Sequence, residues 1–442
     1  MRNATLQAAI TKVMNTPSPS LCTVTLTLIS ATDPSYSYTP MMINELLISQ
    51  KFNSIVPNDA NYADDIRITF DISSKDYSTV YDKKQDLMAI LTITMCDREG
   101  LINMKTAPQK RTYRAMLLGA RDLKKEKVDV HLRTEPDTKM TLQLIEEEVH
   151  KLRLKSINTI YRAMNMTSTI RHVSVGFGLK GLTLTPPDSD KTTFDQIVIS
   201  PYKNFGEIFD FLQKKYGVYM CGIANYFTGS MLYVYAPYDI NPKTKLNTIF
   251  YQADQGQYAG APSHHSVVDG NYQIVIDSFS AVHDHTTAAA ENHGTSHMFH
   301  QSAETIDGII ETDDRGNISY KKATSLAIKL KSNATLDQAA VHNRFVGSTD
   351  NMFEVASNLI KHQAVMVNMT WSNAIPFAFT PGQAVTHYSD EDGKIRKRTG
   401  IMEMAEYGLR KMFSNSSGVV MVCSAHLRVR LDPDGSLEQT TL

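Results

Sequence analysis

The sequence IVISPYKNFGEIFDFLQKKYG at 197–217, followed directly by VYMCGIANYFTGSMLYVYAPYD at 218–239, predicts a helix and then a β-hairpin. Asn204 can cap the helix, with Glu207 three residues later in the arrangement of a capping box. Gly217 favours the helix end. Between the cap and Gly217, apolar residues recur at helical spacing: Phe205, Ile208, Phe209, Leu212 and Tyr216.

The helix carries a broad aromatic stripe, and the two β-rich runs after it are dense in tyrosine. Together they are typical of a docking module. Because the helix lies between other predicted elements, we expect its aromatic face to be ordinary core. The tyrosine hairpin then remains the candidate contact surface, since tyrosine is favoured at protein interfaces.

Strand signals dominate both ends of the chain. Apolar and polar residues alternate with the period of a half-buried strand. In the first part these runs lie at 24–28, 66–72, 87–95 and 112–118, and in the last part at 365–371, 375–385, 419–423 and 426–431. Several short antiparallel strands with turn-rich links indicate a small barrel or sandwich at each end.

Four regions are expected along the chain. A first β module takes 1–125, a middle α/β region takes 126–255, a polar His-rich segment with short strands takes 256–345, and a second β module takes 346–442. Further helices are predicted before Thr16-Pro17, from the spacing of Leu142, Ile145, Val149 and Leu152, from a Thr167 cap through His172, and at 350–362.

The bulk composition excludes two classes of partner. The chain has 442 residues and a formal net charge of −1, so no strong basic field gathers DNA through its phosphates. No apolar run approaches the length that crosses a bilayer, and no secretory signal begins the chain. The four cysteines have no paired spacing and predict synthesis in a reducing cytoplasm without disulfides: Cys22, Cys96, Cys221 and Cys423.

Two short motifs invite enzymatic interpretations that their context disfavours. Residues 176–181, GFGLKG, match the GxGxxG dinucleotide pattern, but that chemistry needs a helix to begin at the glycines. β-prone residues and Pro186-Pro187 follow, so a loop between two strands is predicted. The run Glu146-Glu147-Glu148 is expected to be solvated on a charged helix face, with nothing nearby apolar enough to raise a pKa.

Half of the fourteen histidines fall in one segment: His264, His265, His283, His285, His293, His297 and His300. His283 and His285 would share one side of a strand, and His293 and His297 would stack on a helix face, arrangements that zinc accepts. The surrounding Ala, Thr and Gly residues supply no core to fix such ligands. A solvated loop is the favoured interpretation, and a metal-dependent hydrolase is the alternative.

Three segments together resemble the baseplate hub proteins of contractile-tailed bacteriophages. They are 83–122, 218–239 and 367–408, the last beginning its barrel signature at Trp371-Ser372-Asn373. The His-rich 255–345 segment lies outside the resemblance. The resemblance implies an α+β, mainly β fold, with two small antiparallel β-barrel modules flanking a mixed α/β middle region.

The resemblance further implies a non-enzymatic structural virion protein. It would be a trimeric hub that joins the hexameric tail tube to the threefold central spike and lets DNA pass through its ring without specific binding. The implied partners are two further copies of the chain, a tail tube or tube-initiator protein, the spike and the baseplate wedge proteins, with no membrane span. The implied location is the virion tail baseplate, assembled in the host bacterial cytoplasm.

No catalytic, cofactor-binding or metal-binding residue is predicted, and no cofactor. Two alternatives stay open beside the hub. One is the metal-dependent hydrolase using the cluster from His264 to His300. The other is a different component of the same tail, either a tube initiator or a baseplate wedge.

Overall fold

The structure is a computed structural model that describes residues 3–16, 21–51, 63–96, 108–118, 138–220, 222–228, 231–237, 247–253, 265–268, 271–276, 278–282, 296–302, 305–312, 318–322, 343–346, 365–415, 418–432 and 436–438. The α-helices in these ranges are α1 (Ala4–Met14), α2 (Ser74–Asp82), α3 (Glu147–Arg153), α4 (Met166–Phe177) and α5 (Phe205–Tyr216), and a 3₁₀ helix spans Asp188–Lys191.

The strands of the first half are β1 (Leu21–Ser30), β2 (Ser37–Tyr38), β3 (Ile43–Lys51), β4 (Asp65–Ile72), β5 (Leu87–Cys96), β6 (Gln109–Leu117), β7 (Thr138–Ile145), β8 (Ser156–Met164), β9 (Gly181–Leu184), β10 (Phe194–Asn204), β11 (Ala224–Thr228) and β12 (Met231–Tyr235). Those of the second half are β13 (Asn247–Gln252), β14 (His265–Val268), β15 (Asn271–Ile276), β16 (Ser278–Val282), β17 (Ser296–Ser302), β18 (Thr305–Thr312), β19 (Ile318–Lys322), β20 (Asn343–Val346), β21 (Val365–Ser372), β22 (Ala384–Glu391), β23 (Lys394–Asn415), β24 (Gly418–Leu431) and β25 (Ser436–Glu438).

Eight antiparallel strands close into a barrel, which we call the first barrel. Its strands follow in the order β23, β3, β4, β7, β6, β5, β1 and β24, and β24 pairs again with β23. The alternation in the sequence sets its inner face, since Val24, Leu26, Ile66 and Ile68 are fully buried. Closure removes the free edges that an open sheet would expose.

The two strands β23 and β24 belong to a second ring as well. Residues 394–401 of β23 pair with β22, whereas 404–410 pair with β3 of the first barrel. In β24, residues 419–422 pair with β1, whereas 424–431 pair with β21. The second ring runs on from β22 through β13 and β15 to β14, and from β21 to β16. We keep the name second ring for this set of strands, although its outer strands β14 and β16 are not paired with each other in the described residues.

Buried apolar residues join the two rings into one core. Trp371 of the second ring is fully buried and packs on Phe379, with ring centroids 5.5 Å apart. Both belong to the same cluster of buried residues as Val24 and Leu26 of the first barrel. Helix α1 packs through its apolar face onto Tyr388 and neighbouring residues of the second ring. The prediction of a mainly β fold is confirmed, and one antiparallel barrel is closed by pairing among the described strands.

The middle region builds its own core around α4 and α5. Strands β8 and β10 form one antiparallel pair, and β11, β12 and β9 form a three-stranded sheet. The predicted cap of α5 is confirmed, because Asn204 Oδ1 accepts a hydrogen bond from the Glu207 amide at 3.1 Å. Gly217 follows the helix with φ 79°. Phe205 and Phe209 are fully buried, so the aromatic face is core as expected.

Two helix predictions are wrong in position. Leu142 belongs to strand β7, because alternate β7 residues face the interior of the first barrel, and α3 begins only at Glu147. Helix α4 begins after Asn165, whose side chain accepts a hydrogen bond from the Ser168 amide at 3.0 Å. The Thr167 cap is therefore incorrect, whereas the N-terminal helix is confirmed as α1. The predicted helix at 350–362 lies outside the described residues.

The predicted region boundaries stay a prediction, and strands cross them. β7, which starts after 125, completes the first barrel, and β13 and β15 join the second ring with strands that follow 346. Strands β17 to β20 form a separate four-stranded sheet. Cys22, Cys96 and Cys423 are buried free thiols, and Cys221 lies outside the described residues. None of the described helices has the length and apolar character needed to cross a membrane.

Gly400 lies where the two rings meet, opposite Leu431. A Cβ atom at Gly400 would be 1.8 Å from the carbonyl oxygen of Arg430, so the backbone would have to move. We expect G400A to lower the free energy of unfolding by about 3 kcal/mol or more, measured by urea denaturation.

Gly408 on the same strand is the control. A Cβ there meets its nearest neighbour, Leu47 Cδ2, at 3.8 Å, so G408A should leave the midpoint nearly unchanged. Equal effects of the two substitutions would contradict the prediction.

Candidate functional site

The tyrosine hairpin, formed by β11 and β12, packs against both rings. Tyr226 of β11 is fully buried, and Tyr235 of β12 is 4% exposed. Tyr226 contacts Asp64 beside the first barrel, whereas Tyr235 lies so close to Gly382 that a Cβ there would be 3.1 Å from its ring. For Tyr226 and Tyr235 the predicted role as a surface for a partner is wrong, whereas Tyr233 is half-buried and Tyr238 lies outside the described residues. Tyr226 and Tyr235 form a joint within the chain.

Asp64 is the centre of the contact with the first barrel. Its side chain is fully buried. It accepts hydrogen bonds from Gln50 Nε2 at 2.9 Å, from Arg111 Nη1 at 3.0 Å and from the Tyr226 hydroxyl. The Arg111 guanidinium also lies 3.9 Å above the Phe377 ring, in the segment before β22. A buried carboxylate needs such donors, so this cluster ties β3, β6, the hairpin and the second ring together at one point.

Glu146 lies beside this cluster, at the N-cap of α3, and its side chain makes no capping hydrogen bond. Burial raises the pKa of Glu146 to about 7, and the charges of Asp64 and Glu148 add to that rise while Arg111 opposes it. The expectation that no carboxylate of 146–148 has a raised pKa is therefore wrong. The end of strand β7 places Glu146 against the barrel instead of on a solvated helix face.

A cavity of about 430 Å³ opens at Glu146. Glu147 at its wall is paired, since its carboxylate lies 3.4 Å from Arg114 Nη1 and 3.6 Å from Lys151 Nζ. The residues that line the cavity are Arg111, Thr112, Tyr113, Glu146, Glu147, Glu148 and Thr228. A concave site with a few convergent polar groups is the usual form of a binding pocket.

A second buried polar group lies where β23 passes between the rings. Glu403 is the bulge residue between Met402 and Met404. Its carboxylate binds Arg430 Nε at 2.7 Å and Arg428 Nε at 3.2 Å. Glu403 is 2% exposed and Arg430 is 1% exposed, although alternation along β24 predicts that Arg430 faces solvent. It is buried because that face of β24 meets the bulge.

The glycines of GFGLKG end a helix, and no helix begins there. Gly176 lies in α4, Gly178 is its C-cap with φ 83°, and Gly181 begins β9. A helix C-terminus presents carbonyl groups, whereas a pyrophosphate needs the amides of an N-terminus. The sequence predicts a loop between two strands here. Strand β9 does follow the loop, but the element before it is helix α4, so that part of the prediction is wrong.

The predicted histidine ligands are only partly described. His265 is fully buried in β14, with its ring centroid 5.3 Å from that of Trp371. His297 and His300 lie in strand β17, so the helix face proposed for His297 is wrong. The remaining members lie outside the described residues: His264, His283, His285 and His293. Among the residues that the structure describes, no group of three or more His, Cys, Asp or Glu could hold a metal ion.

Sequence reasoning missed the Asp64 cluster. Gln50 and Tyr226 are 14 and 162 residues from Asp64 along the chain, so no local pattern could join them. Glu146 carried one usable signal. It directly follows the apolar end of a strand, a position where a carboxylate meets the core.

The sequence model of a family described as Bacteriophage PBS1 gene 109 protein matches residues 123–370. No curated protein gives a significant sequence match.

Several solved structures are similar to the chain at low identity. The 43 kDa tail protein of prophage MuSo2 from Shewanella oneidensis is 10% identical with a TM-score of 0.43, over 92% of this chain and 97% of that chain. A chain of the half-lidded Francisella PdpA–VgrG complex is 10% identical with a TM-score of 0.44, over 96% of this chain and 58% of that chain. The E. coli c3393 protein, described as a type VI secretion component, is 8% identical with a TM-score of 0.39, over 93% and 79%. TM-scores below 0.5 carry no conclusion about function.

Removing the Glu403 charge breaks its buried ion pair with Arg430. We expect E403Q to lower the free energy of unfolding by about 3–5 kcal/mol, as for a broken buried ion pair, measured by urea denaturation. The double variant E403M/R430M removes both charges and should regain much of that loss. The control is E391Q, which breaks the pair with Arg396 on the exposed turn before β23 and should change the midpoint little. Equal effects of E403Q and E391Q would refute the prediction.

Glu146 holds its proton in the folded state up to about pH 7, whereas an unfolded glutamate loses it near the ordinary value of 4.5. Between these values the folded state binds more protons, so the free energy of unfolding falls as pH rises. We expect E146Q to be more stable than the wild type at pH 8, by up to about 3 kcal/mol. That difference should vanish near pH 4.5 in urea denaturation. The control E207Q, at the exposed start of α5, should not show a gain of this size at pH 8. A pH-independent offset in E146Q would count against this account.

Proposed function

This chain belongs to the family of the bacteriophage PBS1 gene 109 protein, and we propose that it is a structural component of a phage virion, the trimeric hub of the tail baseplate. Three chains would form a ring that joins the hexameric tail tube to a threefold spike. The two rings of each chain would supply six similar units around one pore. DNA would pass through that pore without specific binding, and the protein would have no catalytic role.

The observation that carries this proposal is that the two rings share the paired strands β23 and β24. Because β23 and β24 run without interruption from one ring to the other, the rings cannot pivot about a flexible linker. The Asp64 cluster and the Glu403 pair fix the middle region and the crossing point. A subunit with this rigidity suits an adaptor whose task is to hold neighbouring proteins in a fixed geometry.

The formal net charge of −1 supports the same role. A strongly basic pore would bind phosphates and retard DNA. The proposed partners are two further copies of the chain, a tail tube or tube-initiator protein, the spike and the baseplate wedge proteins. Assembly would take place in the cytoplasm of the host bacterium, before the tail is complete.

The oligomeric state and the position in the tail test the proposal. Light scattering of the purified chain at micromolar concentration should give the mass of three chains of 49.4 kDa, because an obligate ring buries large interfaces. Electron microscopy should show a ring with an open bore, and labelled antibody should mark the baseplate of intact tails. A ring of six chains would instead identify the protein as another tail component, a tube initiator or a baseplate wedge.

Stoichiometric zinc in elemental analysis, lost in the H293A/H297A variant, would support the alternative of a metal-dependent hydrolase.

A further inference from the structure

The two-stranded sheet of β8 and β10 has one covered face and one open face. Its inner face packs on α4 and α5, where Ile197 and Ile199 are fully buried. On the outer face, Ile160 of β8 is 53% exposed and its register partner Val198 of β10 is 42% exposed. Single exposed apolar residues are ordinary, whereas this adjacent pair forms a small apolar patch on one face of the sheet.

The outer edge of β10 is closed by a side chain of α5. The Val198 amide donates a hydrogen bond to the Tyr216 hydroxyl at 2.7 Å, and this hydroxyl donates to the Val198 carbonyl oxygen at 3.3 Å. Both backbone groups of Val198 therefore point away from β8. Because Val198 and Ile160 are directly opposite in the antiparallel ladder, they form a pair that exchanges no hydrogen bonds.

The outer edge of β8, in contrast, is open. Since the pair of Ile160 and Val198 is not hydrogen-bonded, the amide and carbonyl groups of Ile160 point to the side of β8 that faces away from β10. The same holds for Arg162, which is two residues further along and opposite Gln196. Among the described strands, β10 alone pairs with β8. A row of unpaired backbone donors and acceptors is a template for another strand.

Strand β8 also lacks the features that usually protect an edge strand. It is nine residues long and contains neither proline nor lysine. The irregularity in its pairing places the extra residues in β10, between Ile199 and Lys203. Ala163, with φ 51°, interrupts the extended backbone only near the end of the strand. The length from Ser156 to Arg162 can therefore pair with a further strand.

The charge beside this edge is positive. From Lys155 to Pro187, the segment that forms β8, α4 and β9, the sequence has basic residues but no aspartate or glutamate. Arg162 is exposed and forms no ion pair with a described residue. It shares the outer face with Ile160, because side chains two residues apart on a strand point the same way. An added strand would meet an apolar side chain and a cation two positions apart.

We propose that β8 accepts an extended segment of a neighbouring protein as a third strand, and that this segment places apolar and acidic side chains opposite Ile160 and Arg162. Ladder hydrogen bonds supply affinity in such strand addition, and the alternate side chains supply selectivity. A second copy of this chain is the poorer match, because pairing β8 with its own copy brings two positive edges together. The identity of the neighbour rests on the proposed function, whereas the strand addition depends on this chain alone.

A short synthetic peptide tests the proposal on the full chain. The acidic peptide Thr-Val-Thr-Glu-Thr-Val-Thr, with blocked ends and a fluorescent label, places valine and glutamate on one face of an extended strand. Its binding is measured by fluorescence anisotropy. We expect saturable binding with a dissociation constant below about 1 mM. A lysine peptide, in which lysine replaces the glutamate, should bind several-fold more weakly.

Methylation of the peptide backbone tests whether the peptide binds as a strand. One version is N-methylated at valine and glutamate, and the other at the threonines. The two sets of amides point to opposite edges of an extended peptide, so only one set faces β8. Methylation of that set should weaken binding about tenfold or more, and methylation of the other set should weaken it little. Valine and glutamate are the affected positions if the added strand is antiparallel.

Three variants assign the binding to the edge of β8. R162E should weaken binding of the acidic peptide several-fold and strengthen binding of the lysine peptide. I160T keeps a β-branched residue but removes apolar contact, and should also weaken binding several-fold. The control L47T changes an exposed leucine on β3, a strand that is paired on both sides, and should bind as the wild type does.

Three results would each overturn the proposal. They are the absence of saturable binding by the wild type, equal affinity of the two methylated peptides, and unchanged affinity of the acidic peptide in R162E. The mass of the assembly and its location in the tail are measured without any peptide. Failure of the hub assignment is therefore distinguishable from failure of the strand addition.

Discussion

The connection between the two rings depends on the Glu403 carboxylate, which pairs with Arg430 and Arg428 where β23 passes from one ring to the other. Strand β23 pairs with β22 of the second ring up to Ile401 and with β3 of the first barrel from Met404. The bulge at Glu403 bends the strand between these two positions. The bulge brings a charge into the interior. The two arginines of β24 compensate it, so the strand that causes the buried charge and the strand that neutralises it are the two shared by both rings.

The same principle operates at the joint between the first barrel and the middle region. Tyr226 enters a largely apolar interior, but its hydroxyl and Gln50 converge on Asp64. Apolar packing alone is non-directional and accepts small shifts of one layer over another. Hydrogen bonds to one buried carboxylate are satisfied in one geometry only, because a displaced donor leaves a desolvated charge unpaired. The hydrogen bonds to Asp64 therefore fix one position of the tyrosine hairpin on the first barrel.

Glu146 shows the opposite condition within the same neighbourhood. Asp64 receives three donors, whereas Glu146 shares the electrostatic environment and has no hydrogen-bonding partner of its own among the described residues. Burial and the neighbouring carboxylates therefore keep Glu146 protonated to a higher pH than an exposed glutamate, and Arg111 opposes that effect only in part.

Local patterns in the sequence determined much of the secondary structure. The alternation at Ile66 and Ile68 defined a strand, and Asn204 with Glu207 defined the start of α5, because strand period and helix capping depend on residues a few positions apart. Tertiary structure alone decided which strands pair, where Arg430 is buried, which way Tyr226 faces and why the Glu146 pKa is raised. Those outcomes depend on pairing among strands that come from opposite ends of the chain. Burial and electrostatic energy are set by neighbours in space, which sequence spacing does not encode.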